Sequence, residues 1–370
     1  MNILINCSNI KNGGGLQVAQ SICGELKLFS GHKFTVVLSK FIKLKDVELG
    51  SNVELYQYDI RHNMRTVLLG RDYFLDELAD TKNIDAVLTV FGPSLWRPRL
   101  PHLCGFARAQ LLLKNPKESK SLNVRRIKEM FVYKVWAWAF RMSSKVFYTE
   151  NEYISEILRK KYCDIKVYTV SNYYNQVFDH PDKWKRSIKL PEFDGVTCLS
   201  VSSPSSHKNF GIIEGVVRYL HKIHPDFNVR FVLTFSEQNW HMPEDVRDSI
   251  EYIGKTDVSE CPYLYEQADI MFMPTLLECF TATYPEAMRM EVPIVTTDLE
   301  FARGLCGEAA SYYSALDAKA AAESIYKVAT DKVYAHKLVV AGKEQLKKFD
   351  NYEQRAEKLI KILEEITQER

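Results

Sequence analysis

The sequence predicts an α/β protein built from two similar halves, each a parallel β-sheet covered by helices on both faces. Its strand candidates are continuous apolar runs rather than alternating ones, and segments with helical apolar spacing separate them. This pattern starts again after about residue 190, and 370 residues is an ordinary length for two domains. We therefore expect two doubly wound parallel sheets.

The elements of the first half follow in chain order. Ile3 to Cys7 is a short apolar strand candidate, followed by a glycine-rich turn at Gly13–Gly15. From Leu16 to Leu26 the apolar residues fall at helical spacing. Further strands are predicted at residues 34–38, 53–58, 85–91, 145–149 and 166–170.

The second half repeats this alternation. Its predicted strands are residues 196–202, 230–234, 252–253, 270–273 and 294–296. The junction at 172–192 carries Asn and Pro residues that suit a linker, and a long amphipathic helix ends the chain. We expect domains at 1–180 and 181–348, with residues 349–370 docking back on the first domain.

Composition and charge exclude several classes of protein. Hydrophobic residues make up 46% and charged residues 26%, which excludes a disordered chain, a collagen-like chain and a coiled coil. A net charge of +2 gives no indication of general nucleic-acid binding. No apolar run is long enough to span a membrane, and the apolar start is too short for a signal peptide. The eight scattered cysteines contain no C-x-x-C and indicate reduced, mostly buried thiols of a cytoplasmic protein.

One region is strongly basic. Residues 97–145 contain twelve Lys or Arg against two Glu, and the cluster Arg125, Arg126, Lys128 precedes an apolar run with tryptophans at 130–140. This composition is typical of a helix lying on an anionic membrane surface. A core helix with a solvated basic face explains it equally well, so both interpretations stay open.

The turn at Gly13–Gly15 follows a strand and opens a helix, so its amides can approach an anionic group. A dinucleotide-binding turn would have a third glycine where Val18 stands. The acidic residue expected after the second strand is replaced by Ser39 and Lys40. We therefore predict no nicotinamide cofactor; a phosphate or sugar loop and a plain flexible turn remain.

The sharpest pattern is PTLLECFTATYPEAM at 274–288, directly after a strand. Glu278 is predicted in the strand-to-helix loop and Glu286 in the second turn of the helix, which Thr281 or Thr283 would cap. Free amides near residues 279–282 would make an anion site at a strand's carboxyl end. Carboxylates repel phosphate but accept hydrogen bonds from vicinal hydroxyls, so the pattern describes a nucleotide-sugar site.

Lys208 opens a helix after the first strand of the second half, on the same predicted sheet edge. A cation there would neutralise a diphosphate. The sequence contains no D-x-D, so we predict no metal site and no cofactor, with the nucleotide sugar as a substrate.

These residues resemble the large family of retaining glycosyltransferases with the GT-B fold, the glycosyl transferases group 1. The family's hallmark is two Glu separated by seven residues, matched by Glu278 and Glu286, within ADIMFMPTLLECF…PEAM…VPIVTTD. The resemblance implies two Rossmann-like domains facing a cleft, with a C-terminal helix that crosses back to the first domain. It covers nearly the whole chain and is strongest from about 196 to 315.

The resemblance also implies roles for individual residues. Glu286 would hold the nucleotide ribose, Glu278 would contact the donor sugar at the reacting centre, and Lys208 would grip the diphosphate. Gly14 and Gly15 would line the cleft near donor and acceptor. The remaining predicted donor-binding residues are Ser203, His207, Ile253, Cys279, Phe280 and Thr281.

Two positions depart from the family's pattern. An Arg usually stands five or six residues before the Lys, and here Ser202 and Ser203 occupy those positions. Where the first domain often has a His, this chain has Ala107 or Arg108. Arg108 and His102 are therefore acceptor-side candidates, although a structural role suits His102 better.

The function that this resemblance implies is transfer of a hexosyl or acetamidohexosyl group from a nucleotide diphosphate sugar to an acceptor hydroxyl, with retention. A UDP-sugar is favoured and a GDP-sugar is possible. The acceptor would be a glycan or a lipid-linked glycan in bacterial surface-polysaccharide assembly, at the inner membrane face. Two alternatives remain: a nucleotide-sugar epimerase of the same fold, and a non-catalytic nucleotide-sugar-binding partner.

Overall fold

A computed structural model describes residues 1–11, 13–44, 47–60, 65–117 and 124–369; for residues 65, 124–127 and 129 it describes the backbone only. The chain forms two compact units. Unit 1 comprises residues 1–113, 119–172 and 350–370, and unit 2 comprises residues 114–118 and 173–349. The chain thus first enters the body of unit 2 at Tyr173, ahead of the 180/181 boundary expected from the sequence.

Unit 1 is built on a seven-stranded sheet in which every pairing is parallel. Its strands are β1 Asn2–Cys7, β2 Lys33–Leu38, β3 Val53–Gln57, β4 Ala86–Thr89, β5 His102–Phe106, β6 Val146–Thr149 and β7 Lys166–Thr169. The spatial order is β3-β2-β1-β4-β5-β6-β7, so the direction of winding reverses between β1 and β4. This reversal is the mark of a doubly wound sheet.

Helices cover the sheet of unit 1. They are α1 Gly14–Glu25, α2 Tyr73–Thr81, α3 Val124–Ser143, α4 Glu152–Lys161 and the C-terminal α12 Tyr352–Gln368. Asn351 and Gln354 form a capping box that starts α12. The apolar face of α12, including Leu359, Ile360 and Leu363, is buried in the core that α1 and the sheet of unit 1 also form.

Unit 2 repeats the plan with a six-stranded parallel sheet. Its strands are β8 Val196–Ser200, β9 Val229–Leu233, β10 Ile250–Tyr252, β11 Ile270–Met273, β12 Ile294–Thr297 and β13 Ala310–Tyr313. Its helices are α5 Ile212–Ile223, α6 Glu244–Arg247, α7 Cys261–Glu266, α8 Thr283–Arg289, α9 Glu300–Cys306, α10 Ala318–Thr330 and α11 Lys332–Leu346. The strand order is β10-β9-β8-β11-β12-β13.

The predicted α/β architecture of two parallel sheets is confirmed, and so are the strand candidates apart from their ends. Two strands, β5 and β13, were not among the predicted ones. Strand β5 carries His102 and Gly105, which interrupt its apolar run, and Ser311 interrupts the run of β13. Strand β4 is shorter than the apolar run 85–91 because the chain leaves the sheet after Thr89.

All eight cysteines lie in the described residues; they are free thiols, and each is buried except Cys163. The described helices include none that is both long enough and apolar enough to cross a bilayer.

Candidate functional site

In unit 2 the order of the strands reverses between β8 and β11, at the carboxyl ends of these two strands. These strands are neighbours, but β9 continues the sheet on one side and β12 on the other. The loops that follow β8 and β11 therefore leave the sheet side by side and then diverge. Open α/β sheets bind ligands at such a reversal of strand order.

Hydrogen bonds hold the two loops together. The backbone N–H of Leu276 donates to the carbonyl of His207 at 2.8 Å, and the Thr275 hydroxyl oxygen lies 3.4 Å from the same carbonyl oxygen. The Thr297 hydroxyl, at the end of β12, donates to the Thr275 carbonyl at 2.7 Å. The backbone around residues 207 and 275 is thus fixed before any side chain of the site is considered.

Lys208 and Glu278 meet where these loops adjoin. The Lys208 Nζ lies 2.6 Å from Glu278 Oε1, and both side chains are only 12% exposed. Thr275 donates to the same carboxylate oxygen at 2.8 Å, and His207 Nε2 lies 3.9 Å from it. The shortest contact from each of these three groups is to Oε1. The sequence placed Lys208 and Glu278 on one edge, and the structure joins them as an ion pair.

The Lys208–Glu278 pair can still bind an anion, because Lys208 keeps hydrogen-bond donors that Glu278 does not use. An ammonium group has three N–H donors, and Glu278 takes one of them, so Lys208 retains two. Burial lowers the pKa of His207, opposed by Glu278 and assisted by Lys208. The neutral imidazole is thus the favoured form, and His207 serves as a hydrogen-bonding group more readily than as a second cation.

Glu286 lies in the first turn of α8, earlier in the helix than the second turn expected, and is 4% exposed. The Tyr265 hydroxyl, on α7, donates to Glu286 Oε2 at 3.1 Å. Burial raises the pKa of Glu286 from its ordinary 4.5 to about 7, and the Tyr265 hydrogen bond opposes this shift. Glu286 is therefore a carboxyl group poised between its neutral and charged forms near neutral pH.

The expected threonine cap of this helix is wrong. Helix α8 begins at Thr283 after Ala282 in helical conformation, and no side chain caps it. The hydroxyls of Thr281 and Thr283 instead bond each other at 2.7 Å. No protein acceptor in the described chain takes up the backbone N–H groups of residues 280–282. The segment thus offers amides to a ligand, as the sequence analysis expected, although α8 itself is short.

The other predicted donor-binding residues of unit 2 occupy the same sheet edge. Ser203 is exposed in the loop after β8, and Ile253 directly follows β10, where its N–H donates to the Leu233 carbonyl at 3.1 Å. Cys279 is buried, and the Phe280 ring packs edge-on against Phe349 with centroids 6.1 Å apart. No hydrogen bond or ion pair described for these residues reaches Lys208 or Glu278.

Three residues of this region were not predicted from the sequence: Thr275, Tyr265 and Asn209. Thr275 could have been found, since it stands three residues before Glu278. Tyr265 gives no such signal because it is 21 residues from Glu286 and on another helix. Asn209 directly follows Lys208 with φ 57°, in the left-handed region, and is 1% exposed. Its side-chain Nδ2 has no hydrogen-bond partner in the described part of the chain, so a buried donor is left free beside Lys208.

The predicted residues of unit 1 belong to its own sheet. Gly13 has φ 68°, which favours glycine, and a Cβ on Gly14 would meet nothing within 4 Å, so that part of the turn is open. On Gly15 a Cβ would lie 3.2 Å from Ile10, so the backbone is close-packed there. Arg108 follows β5 with its guanidinium 4.7 Å from the ring centroid of Trp136.

His102 stands at the amino end of β5, away from the carboxyl edge. One ring nitrogen lies 2.9 Å from the Thr89 hydroxyl and the other 2.9 Å from the Ser143 carbonyl. Burial lowers the pKa of His102 to about 4, opposed by the bond to Ser143. Its hydrogen-bonding capacity is used within unit 1, so we leave His102 out of the functional proposal.

A search of the described residues for groups of three or more His, Cys, Asp or Glu able to hold a metal ion finds none. Metal independence nevertheless stays a prediction, because only an activity measurement can test it.

Comparison with known proteins supplies independent information. Residues 208–331 match the family model of the glycosyl transferases group 1. An uncharacterized glycosyltransferase of Haemophilus influenzae is 33% identical over 112 residues, which is 29% of this chain and 31% of that protein. The match thus spans about a third of that relative's length.

Solved structures resemble this chain over nearly its full length. Sucrose-phosphate synthase from Thermosynechococcus elongatus gives a TM-score of 0.71 at 15% identity, covering 100% of this chain and 99% of that one. WaaG, a glycosyltransferase involved in lipopolysaccharide biosynthesis, gives 0.67 at 15% identity, covering 98% and 99%. At this identity the likeness shows the fold, which is the expected GT-B fold of two Rossmann-like units. The segment that matches the glycosyl transferases group 1 model, residues 208–331, carries Lys208, Glu278 and Glu286.

Proposed function

We propose that this chain is a retaining glycosyltransferase that moves a sugar from a nucleotide diphosphate sugar to an acceptor hydroxyl. The observation that carries the proposal is the buried Lys208–Glu278 ion pair at the strand reversal of unit 2, with the buried Glu286 on the helix that follows. These groups combine a cation for a diphosphate with carboxylates for hydroxyls, and they lie inside the segment that matches the family.

Each group has a role that its surroundings support. The two free N–H donors of Lys208 would hold the diphosphate, assisted by His207, the unpartnered amide of Asn209 and the backbone amides of 280–282. Glu278 Oε2 would accept a hydrogen bond from the donor sugar while Oε1 keeps Lys208 in place. Glu286 would accept hydrogen bonds from the ribose diol.

The proposed step breaks the bond between the anomeric carbon and the diphosphate oxygen and forms a bond to the acceptor oxygen on the same face of the sugar. The acceptor proton passes to the departing diphosphate. No enzyme nucleophile is required, so catalysis rests on stabilising the leaving group and on positioning the acceptor. Lys208 and the amides carry the first task, and they partly compensate for the absent Arg at 202–203.

The finer identity of the substrates belongs to the same proposal. We favour a UDP-sugar over a GDP-sugar, a hexosyl or acetamidohexosyl group, and a reaction that needs no metal. The acceptor is proposed to be a glycan or lipid-linked glycan of the bacterial cell surface. The reaction would take place in the cytoplasm, with the enzyme resting on the inner face of the membrane.

Nucleotide binding tests the site directly. Melting temperatures would be measured with UDP, GDP, ADP and dTDP for the natural chain, for Glu286→Ala and for Glu308→Ala, an exposed glutamate of the same unit. A ligand at 100 times its Kd stabilises by about 2.7 kcal/mol, which amounts to a few degrees. We expect one nucleotide to raise the melting temperature, with the shift lost in Glu286→Ala alone. No shift with any nucleotide would contradict the proposal.

Incubation with the identified nucleotide sugar then separates the alternatives. Without an acceptor, slow release of free sugar and nucleotide supports a transferase. Conversion to an epimeric nucleotide sugar would show an epimerase instead. Binding with neither product, even at high enzyme concentration, would indicate a non-catalytic binding partner. Repeating the active assay after chelation of metals tests the prediction of metal independence.

A further inference from the structure

Helix α3 of unit 1 exposes a stripe of large apolar side chains. The stripe consists of Phe131, Val135, Trp138 and Met142, whose spacing of four, three and four residues places them along one face of the helix. Their exposed fractions are 67%, 40%, 42% and 45%. In the second half of the helix a different face contacts the core, with Ala139 and Phe140 buried, whereas residues 130–135 are exposed around the whole helix, Met130, Val132 and Tyr133 included. The core thus does not use this stripe.

Cations surround the end of the stripe. Trp138 and Met142 line an open groove of about 840 Å³ together with four cations, Arg97, Arg99, Arg141 and Lys145, and one acid, Glu369, which pairs with Lys166 at 2.9 Å. The Arg97 guanidinium lies 5.3 Å from the Trp138 ring centroid, which fixes the indole at the groove.

These cations greatly outnumber the acids near them. Arg141 and Lys145 share the single carboxylate of Asp164, at 3.3 and 2.7 Å. For Arg99 and Lys134, both exposed, no carboxylate of the described chain lies within ion-pair distance. Arg125 and Arg126, part of the basic cluster in the sequence, have side chains outside the described residues.

We propose that the stripe and its cations form a docking surface for an anionic lipid bilayer, with the apolar side chains at the headgroup boundary and the cations against the lipid phosphates. Exposed aromatic and aliphatic side chains flanked by Lys and Arg are the pattern of an interfacial helix. The net positive charge argues against a second copy of this chain as the occupant, because the two cationic faces would repel. The surface does not depend on the proposed reaction, so it can fail while nucleotide binding holds.

Vesicle co-sedimentation of the full chain tests the charge contribution. We expect binding to vesicles of phosphatidylglycerol and phosphatidylcholine, little binding to phosphatidylcholine alone, and weakening by salt. Arg99→Gln combined with Lys134→Gln should lower the partition coefficient about 25-fold, since each cation near the surface contributes about fivefold. Lys332→Gln combined with Lys337→Gln, two exposed cations of unit 2, should leave binding unchanged. Equal loss in both variants, or equal binding to neutral vesicles, would overturn the proposal.

Fluorescence quenching tests the stripe itself. Vesicles with brominated acyl chains should quench the bound natural chain and Trp240→Phe alike, whereas Trp138→Phe should lose most of the quenching. Phe131→Ser combined with Val135→Ser should weaken binding, in contrast to Val333→Ser, which alters an apolar residue that is 83% exposed elsewhere. Unchanged quenching in Trp138→Phe would overturn the proposal. So would a dimer that the Phe131/Val135 variant dissociates while vesicle binding persists, because a second copy would then cover the stripe.

Discussion

Two buried glutamates, Glu150 in unit 1 and Glu286 in unit 2, occupy comparable places in their sheets and differ in what surrounds them. Glu150 directly follows β6, and Glu286 stands on the helix after β11. Burial raises the pKa of each to about 7. The charge of Arg355 and a hydrogen bond from Asn172 oppose the shift at Glu150, whereas only the Tyr265 hydroxyl opposes it at Glu286.

The neighbours of Glu150 are themselves part of a closed network. Arg355, on α12, hydrogen-bonds Asn172 and donates to the Ser21 hydroxyl on α1 at 2.7 Å. Asp350 accepts from the Ser171 N–H at 3.0 Å, close to where α12 begins. The network therefore ties the C-terminal helix to the sheet of unit 1. Most of its polar groups bond one another, which indicates a structural role, although the buried Nε of Arg355 has no hydrogen-bond partner among the described residues.

The two sites show how the surroundings of a buried carboxylate distinguish a structural role from a ligand-binding role. At Glu150 the charge of Arg355 opposes the effect of burial on the pKa, although the two groups are not at ion-pair distance. At Glu286 no cation of the described residues opposes it, so burial is left uncompensated until a ligand supplies donors. An uncompensated buried group is a cost to stability that binding can recover.

The largest expected effect is on the stability of unit 1. Arg355→Met removes the buried charge that acts on Glu150 and the two hydrogen bonds to Asn172 and Ser21, so we expect a loss of about 3–5 kcal/mol. The melting temperature should fall markedly, whereas in Lys361→Met, which alters an exposed cation of the same helix, it should hardly move. A fall no larger than that of the control would show that the network does not hold α12.

Catalysis should respond most to the ion pair of unit 2. Lys208→Met should reduce kcat by about 10²–10³-fold, because the leaving diphosphate loses its cation. Glu278→Ala should depress turnover more than it weakens donor binding, and Glu286→Ala should do the reverse. Steady-state kinetics would check each, with Lys222→Met on the exposed face of α5 as the control. Full activity of Glu278→Ala would refute its proposed role.

Replacing either glutamate by glutamine should raise stability at pH 8, because burial raises the pKa of each from 4.5 to about 7. The folded chain binds more protons between these values, so stability falls as pH rises through that window. Each substitution removes this penalty and should gain about 1–3 kcal/mol at pH 8, with little gain at pH 5. The two sites should differ in an Arg355→Met background, where the gain of Glu150→Gln grows because no cation then opposes burial, while that of Glu286→Gln does not change. Thermal melts at both pH values check this, and equal changes at the two sites in that background would contradict the comparison.

The smallest effect concerns the pH dependence of donor affinity. Ribose hydroxyls donate to the ionised form of Glu286, so binding must release a proton when the pH is below about 7. The Kd for the nucleotide sugar should therefore rise about tenfold per unit as pH falls from 7 to 5.5, and it should level off above 7. Isothermal titration with a nucleotide sugar, whose diphosphate does not titrate there, measures this. The slope should vanish in Glu286→Gln; a slope that persists would assign the proton to another group.

Local sequence was enough to predict much of this fold and site. Apolar runs predicted most strands because a strand buried on both faces must be continuously apolar, as in residues 270–273. Strand β5 was not predicted because His102 and Gly105 interrupt its apolar run. Each of these two residues fits into the strand only through contacts with residues distant in sequence. The threonine cap of α8 was wrong because Thr281 and Thr283 bond each other instead.

Periodicity and short motifs are local properties, so they were sufficient to predict the α/β class, the two halves and the residue types of the candidate site. Which of these groups meet depends on the packing of distant segments. Lys208 and Glu278 are 70 positions apart and pair because β8 and β11 are neighbours. Glu150 and Glu286 are both glutamates, and nothing local in the sequence distinguishes them. The residues that do, Arg355 and Tyr265, come from distant helices. Burial and charge pairing depend on packing, which no local pattern encodes.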